Sequence, residues 1–185
     1  MADLATSRAS GFAGLSLPSK AGVAAVTDAD AAARFVYRGA PELFPATFGV
    51  ALPTTPMRAR VEGLRAALWL GPDEWLLLAP DSDGATLGAA LANALQGQAA
   101  SLVDVSHRQV GLVVTGPRVA DVLNAGCPLD LDLAAFPVGM CTRTLLAKVE
   151  ITLWRTADEA FRVEIARSLV PYVVEFLREA MLGAV

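Results

Sequence analysis

The chain has 185 residues, a net charge of −4 and a sequence pI near 5.0. That length buries a core without help from disulfides or metal. The acidic balance, with no long basic run, argues against nucleic-acid binding through phosphate neutralisation. Two cysteines, Cys127 and Cys141, are too few for a disulfide scaffold, so a reducing cytoplasm is the expected compartment. The first residues carry no apolar signal core, and no membrane span is expected. The nearest approach to one, residues 84–103, is interrupted by Asn93, Gln96, Gln98 and three glycines. Hydrophobic types make up 54% of the chain, above the roughly 45–50% usual for soluble domains. Such an excess implies either a generous core or an apolar surface covered by a partner.

Residues 1–20, small and polar with Pro18, read as a tail, mobile or docked through Phe12 and Leu15. Residues 21–185 read as a single α+β domain, with a split into two sub-domains near residue 100 as the alternative. Strands are expected over 34–38, 58–62, 66–70 and 74–79, bounded by Gly39, Gly63 and the Gly71-Pro72-Asp73 turn. A helix is expected over 41–49, with Pro41 and Glu42 in its first turn. Another runs over 84–96, where Leu87, Leu91 and Leu95 recur every four residues. Ser82 or Asp83 would cap its start and Gly97 its end. Outside that leucine stripe Ala85, Gly88, Ala89 and Ala92 offer a small-residue face for close approach by a partner. A strand over 109–115 and a short helix over 117–124 follow.

Residues 149–154 and 161–165 alternate apolar and polar and read as an antiparallel hairpin. Its apolar face calls for a cover, and the amphipathic segment from Ser168 to Gly183 supplies one. There Leu169, Val170, Val173, Val174, Leu177 and Met181 form the apolar side. Paired strands broken by single helices predict antiparallel sheets with a few covering helices.

Several chemistries lack their residues. The sequence has no G-x-G, no P-loop pattern, no G-x-S-x-G elbow, no C-x-x-C and one histidine. Asp104-Val105-Ser106-His107-Arg108 places three catalytic residue types together. In an extended segment, however, Asp104 and Ser106 point away from His107, so a triad cannot converge. The plainer reading is a polar strand end bonding local backbone. Cys127 has no Lys or Arg within five residues, which favours a buried thiol over a reactive one. Trp69 and Trp75 could cradle a planar ligand together with His107 and Arg108, or pack across strands. Arg143, Arg155, Arg162 and Arg167 could bind an anion, or alternate with Glu150, Glu159 and Glu164 on an exposed sheet face. No catalytic or metal-ligating residue is assigned.

Five phrases in order give the chain a wider likeness. LGPDEWLLL at 70–78, DVSHR at 104–108, GCPLDL at 126–131, GMCTRT at 139–144, and Arg167-Ser168-Leu169 with Tyr172 together resemble the gamma subunit family of heterotetrameric sarcosine oxidase. The resemblance covers about residues 34–182. It implies a fold similar to the folate-binding domain of the glycine-cleavage aminomethyltransferase. It also implies membership of an assembly that oxidatively demethylates sarcosine to glycine, with hydrogen peroxide and either formaldehyde or, with tetrahydrofolate, methylenetetrahydrofolate as products. FAD, FMN, NAD and zinc would belong to the alpha, beta and delta partners, with alpha in direct contact, and no cofactor to this chain. The competing expectation is a stand-alone folate-binding or aminomethyltransferase-like protein.

Overall fold

The computed structural model describes residues 12–184. In chain order its strands and helices are β1 (Ser19–Lys20), β2 (Ala24–Asp28), β3 (Ala32–Arg38), β4 (Ala59–Glu62), β5 (Arg65–Gly71) and β6 (Glu74–Pro80), then α1 (Gly84–Ala94), β7 (Ser101–Asp104), β8 (Gln109–Thr115) and α2 (Val119–Asn124). After these come β9 (Cys141–Leu146), β10 (Val149–Ala157), β11 (Ala160–Ala166) and α3 (Val170–Gly183). All strand pairs are antiparallel. One sheet has the order β1-β2-β8-β11-β10-β9 and the other β4-β5-β6-β3-β7. This is the expected α+β class. Because β1 and β2 join the sheet built mostly from later strands, the two sheets do not divide at one chain position.

Each sheet buries one face under helices. In the six-stranded sheet Val110, Leu112, Val114, Ile151, Leu153, Phe161, Val163 and Ile165 pack with Val170, Val173, Val174, Leu177 and Met181 of α3. The alternation read from the β10–β11 hairpin thus finds the cover expected of it, with Leu153 opposite Val163. In the five-stranded sheet Phe35, Tyr37, Ala67, Trp75 and Leu77 pack under Leu87, Leu91 and Leu95. The remaining faces meet each other. Ala66, Leu68, Leu76 and Leu78 of one sheet and Cys141 of the other form a third cluster, with Trp154 against it.

Local departures from expectation have local causes. The helix expected over 41–49 is two 3-10 turns, Pro41–Leu43 and Ala46–Phe48, with Phe44 extended between them. Pro45 lacks an N–H and drives the residue before it out of the helical region. Neither Ser82 nor Asp83 caps α1; the Asp83 carboxylate instead accepts a hydrogen bond from Arg65 at 2.8 Å. Ser168 does not cap α3, which is entered through the 3-10 turn Arg167–Leu169, and Leu169 stays 39% exposed. α1 ends at Ala94 with Leu95 as its C-cap, short of Gly97, which takes φ +76° in the turn that follows.

Of the expected tail, residues 1–11 lie outside the described residues. Phe12 is buried in the core of the six-stranded sheet, with Leu15 and Leu17 packed against it, so Phe12 is no free docking side chain. Lys20 donates to the carbonyls of Met181 at 2.9 Å and Ala184 at 3.0 Å, tying this segment to the end of α3. On α1, Ala85, Ala89 and Ala92 are exposed as expected. Gly88 instead turns toward Phe35, whose ring would stand 3.1 Å from an added Cβ.

Candidate functional site

Where the two helix-free sheet faces separate, they enclose a cleft of about 560 Å³. Its walls combine the apolar Val36, Leu76 and Val103 of one sheet with Glu150, Thr152 and Glu164 of the other. Two carboxylates organise it. Glu74, at the start of β6, has a side chain only 8% exposed and accepts hydrogen bonds from Arg38 Nη2 at 2.6 Å and from both terminal nitrogens of Arg143, across the sheets. Burial alone would raise its carboxyl, but the hydrogen bonds from Arg143 and Arg38 outweigh burial and hold it below its usual range. Glu164, on β11, is 1% exposed and pairs with Arg34 Nε at 2.6 Å and Arg162 Nε at 2.7 Å. Arg34 belongs to the other sheet, so each carboxylate staples the two sheets together.

The Glu74 pair carries a pH signature. A carboxyl held below its unfolded value adds stability that is complete above the unfolded pKa and fades as pH falls through the folded one. Glu74→Gln should therefore cost about 1–2 kcal/mol at neutral pH. In melts run from pH 7 downward, the gap between wild type and variant should close below about pH 4.

The candidates read from the sequence are scattered. Arg108 lines the cleft and is exposed. His107 is exposed and is not among the cleft-lining residues. Trp69 and Trp75 are direct cross-strand partners on the opposite face of the five-stranded sheet, away from the cleft. Trp75 is fully buried, and its Nε1 donates to the Pro53 carbonyl at 2.9 Å. These tryptophans pack across strands; they do not cradle a cleft ligand.

The Asp104–Arg108 segment leaves the strand after Asp104 and turns at 106–108. The Asp104 carboxylate accepts from the Ser106 N–H at 2.8 Å, and Ser106 Oγ accepts from the Arg34 N–H at 2.8 Å. Ser106 is 1% exposed, so its hydroxyl belongs to the backbone scaffold of β3. Both cysteines are buried. Cys127 Sγ lies 3.8 Å from Thr144 Oγ1, and burial pushes the Cys141 thiol up to about 12. Among the described residues, no group of three or more His, Cys, Asp or Glu side chains is placed to hold a metal ion.

Three of the four arginines considered as an anion site have other partners. Arg143 and Arg162 serve the carboxylates above. Arg155 is 3% exposed and donates to the carbonyls of Leu131 at 3.1 Å, Phe136 at 2.7 Å and Asp158 at 3.0 Å, with its guanidinium 4.6 Å from the Phe161 ring centre. It fastens the irregular segment between α2 and β9. Arg155→Met should cost about 2 kcal/mol by stranding those carbonyls. Limited proteolysis should then cut near residues 130–137 sooner than in wild type.

Sequence reasoning missed Arg34, Arg38 and Glu74, and it placed Glu164 on an exposed face. The available signal was Arg34, a charged residue inside the otherwise apolar run AARFV; FRVEI alternates and carried no such signal for Glu164.

Two antiparallel sheets meeting face to face, with helices outside, define an aminomethyltransferase-like α+β fold. The aminomethyltransferase T of the glycine cleavage system from Bartonella henselae superposes with a TM-score of 0.64, at 16% identity, over 84% of this chain and 45% of that one; at this identity the likeness is one of fold. A chain of the heterotetrameric sarcosine oxidase of Corynebacterium sp. U-96, solved in complex with pyrrole 2-carboxylate, superposes with a TM-score of 0.82 at 28% identity, covering 90% of this chain and 88% of that chain. The family model for the sarcosine oxidase gamma subunit family matches residues 40–182, and the chain belongs to that family. The sarcosine oxidase subunit gamma of Corynebacterium sp. strain P-1 is 39% identical over 121 residues, 65% of this chain and 58% of that protein. The matched region spans between half and two thirds of the curated relatives. No helix among the described residues is long and apolar enough to cross a membrane.

Proposed function

We propose that this chain is the gamma subunit of a heterotetrameric sarcosine oxidase and supports assembly of that enzyme without an active site of its own. The observation that carries the reading is the 0.82 superposition on a chain of such an oxidase, near full length on both sides. The polar groups of the inter-sheet cleft agree with a structural role. Glu74 and Glu164 are each held by two arginines, and the Ser106 hydroxyl is bonded to backbone. None of these three groups is left as a free nucleophile or base, and Glu150, the cleft carboxylate without an ion pair among the described residues, is exposed to solvent. On this reading the oxidative demethylation of sarcosine, the peroxide and the transfer of the one-carbon unit belong to the assembly. FAD, FMN, NAD and zinc are held by the alpha, beta and delta chains. The test is co-expression with those chains, followed by size-exclusion chromatography and a peroxide assay with and without this chain. The subunit should co-elute with the others, and its omission should lower the yield of active complex.

The aminomethyltransferase-like fold and a cleft within the usual size range of ligand pockets favour a second reading, a folate-binding protein that acts alone. Titration of the isolated chain with tetrahydrofolate, followed by tryptophan fluorescence, separates the two. The subunit reading expects no saturable response.

A further inference from the structure

We infer that the mouth of the inter-sheet cleft seats a partner segment bearing an acidic side chain flanked by apolar ones; this rests on the reading of the chain as an assembly subunit. Arg38, Arg108 and Arg143 line the cleft together with Glu74, Glu150 and Glu164. Arg34 and Arg162 are both committed to Glu164. The lining groups balance, three guanidinium groups against three carboxylates, but Glu74 and Glu164 are each already held by two arginines. Arg108, exposed at the rim, has no ion pair among the described residues. A partner carboxylate would complete this arrangement.

The rim of the cleft is apolar. Val103 is 51% exposed and Leu169 39% exposed, and both line the cleft. Leu145, 48% exposed, stands on β9 directly opposite Glu150. A small anion inside the cleft would leave these side chains in water, whereas a polypeptide segment covers the cleft and its rim together. The exposed alanines of α1 offer no comparable charge.

The test uses the co-expressed four-chain assembly, pulled down through a tag on this chain. Arg108→Glu and Val103→Glu should each weaken retention of the partners roughly tenfold. Glu150→Gln, which removes an unpaired negative charge from the same cleft, should hold them at least as tightly as wild type. All three isolated variants should melt like wild type; Arg108→Glu, which breaks no contact of the fold, keeps the test decisive if Val103→Glu does not. Failure of the wild type itself to retain the partners sinks the subunit reading. Wild-type assembly matched by both Glu variants sinks this inference alone. A calorimetric titration with benzoate supplies the other contrary result: saturable binding abolished by Arg108→Glu, with assembly unchanged, would make the cleft a small-anion site.

Discussion

Replacing Glu164 by Ala should lower the stability of the isolated chain by about 3–5 kcal/mol, because it strands a buried charge. Arg34 has a side chain only 4% exposed and gives its Nε to Glu164 at 2.6 Å. Its other described side-chain partner outside that carboxylate is the Ala32 carbonyl, at 2.9 Å from Nη1. Without Glu164 the guanidinium stays buried between sheets with most of its charge unanswered. Gly111 shows how closely the pair is fitted. It lies opposite Glu164 in the ladder, and a Cβ there would come within 2.7 Å of Glu164 Oε1. At about 2–4 °C per kcal/mol for a chain of this size, the melting temperature should fall on the order of 10 °C. The double replacement Arg34→Met with Glu164→Leu should recover part of the loss, since an apolar pair of similar volume avoids desolvating charge while Arg162 still loses its carboxylate. A double-mutant cycle by calorimetry checks both statements. Single variants that melt like wild type would show that this ion pair does not hold the sheets together.

Gly126→Ala is the second large effect, at about 3 kcal/mol. Gly126 follows α2 and opens the GCPLDL phrase. An added Cβ would meet Phe176 Cζ at 2.5 Å and the backbone nitrogen of Ala147 at 2.7 Å. The ring can swing aside, but the backbone contact cannot: Ala147 donates its N–H to the Gly126 carbonyl at 2.9 Å and is itself held at φ 54°. Phe176→Leu added to Gly126→Ala should therefore rescue only part of the loss in thermal melts. Full rescue would mean that the ring alone forbids the side chain.

These two sites show what was legible in the sequence and what was not. The hairpin of β10 and β11 and the helix that covers it could be read from alternation, because one face is uniformly apolar and water decides the other. The same alternation misplaced Glu164 on a solvated face. Period two tells which residues share a face; it does not tell whether that face meets water or a second sheet. The short strands β1, β2, β7 and β9 escaped for a related reason. They carry Thr, Asp, Lys and Arg, and they owe their extended form to the ladders they join. Pro45 was visible, and its consequence for residues 41–49 followed from its missing N–H. Among the candidate site residues, the tryptophans were correctly seen as strand neighbours. Their face could not be assigned until register fixed which side α1 covers.

Membership of a four-chain enzyme is tested most simply by native mass spectrometry of material purified through a tag on this chain after co-expression with the alpha, beta and delta chains. One dominant species containing one copy of each of the four polypeptides is expected. Recovery of the tagged chain alone, or only as copies of itself, would contradict that membership.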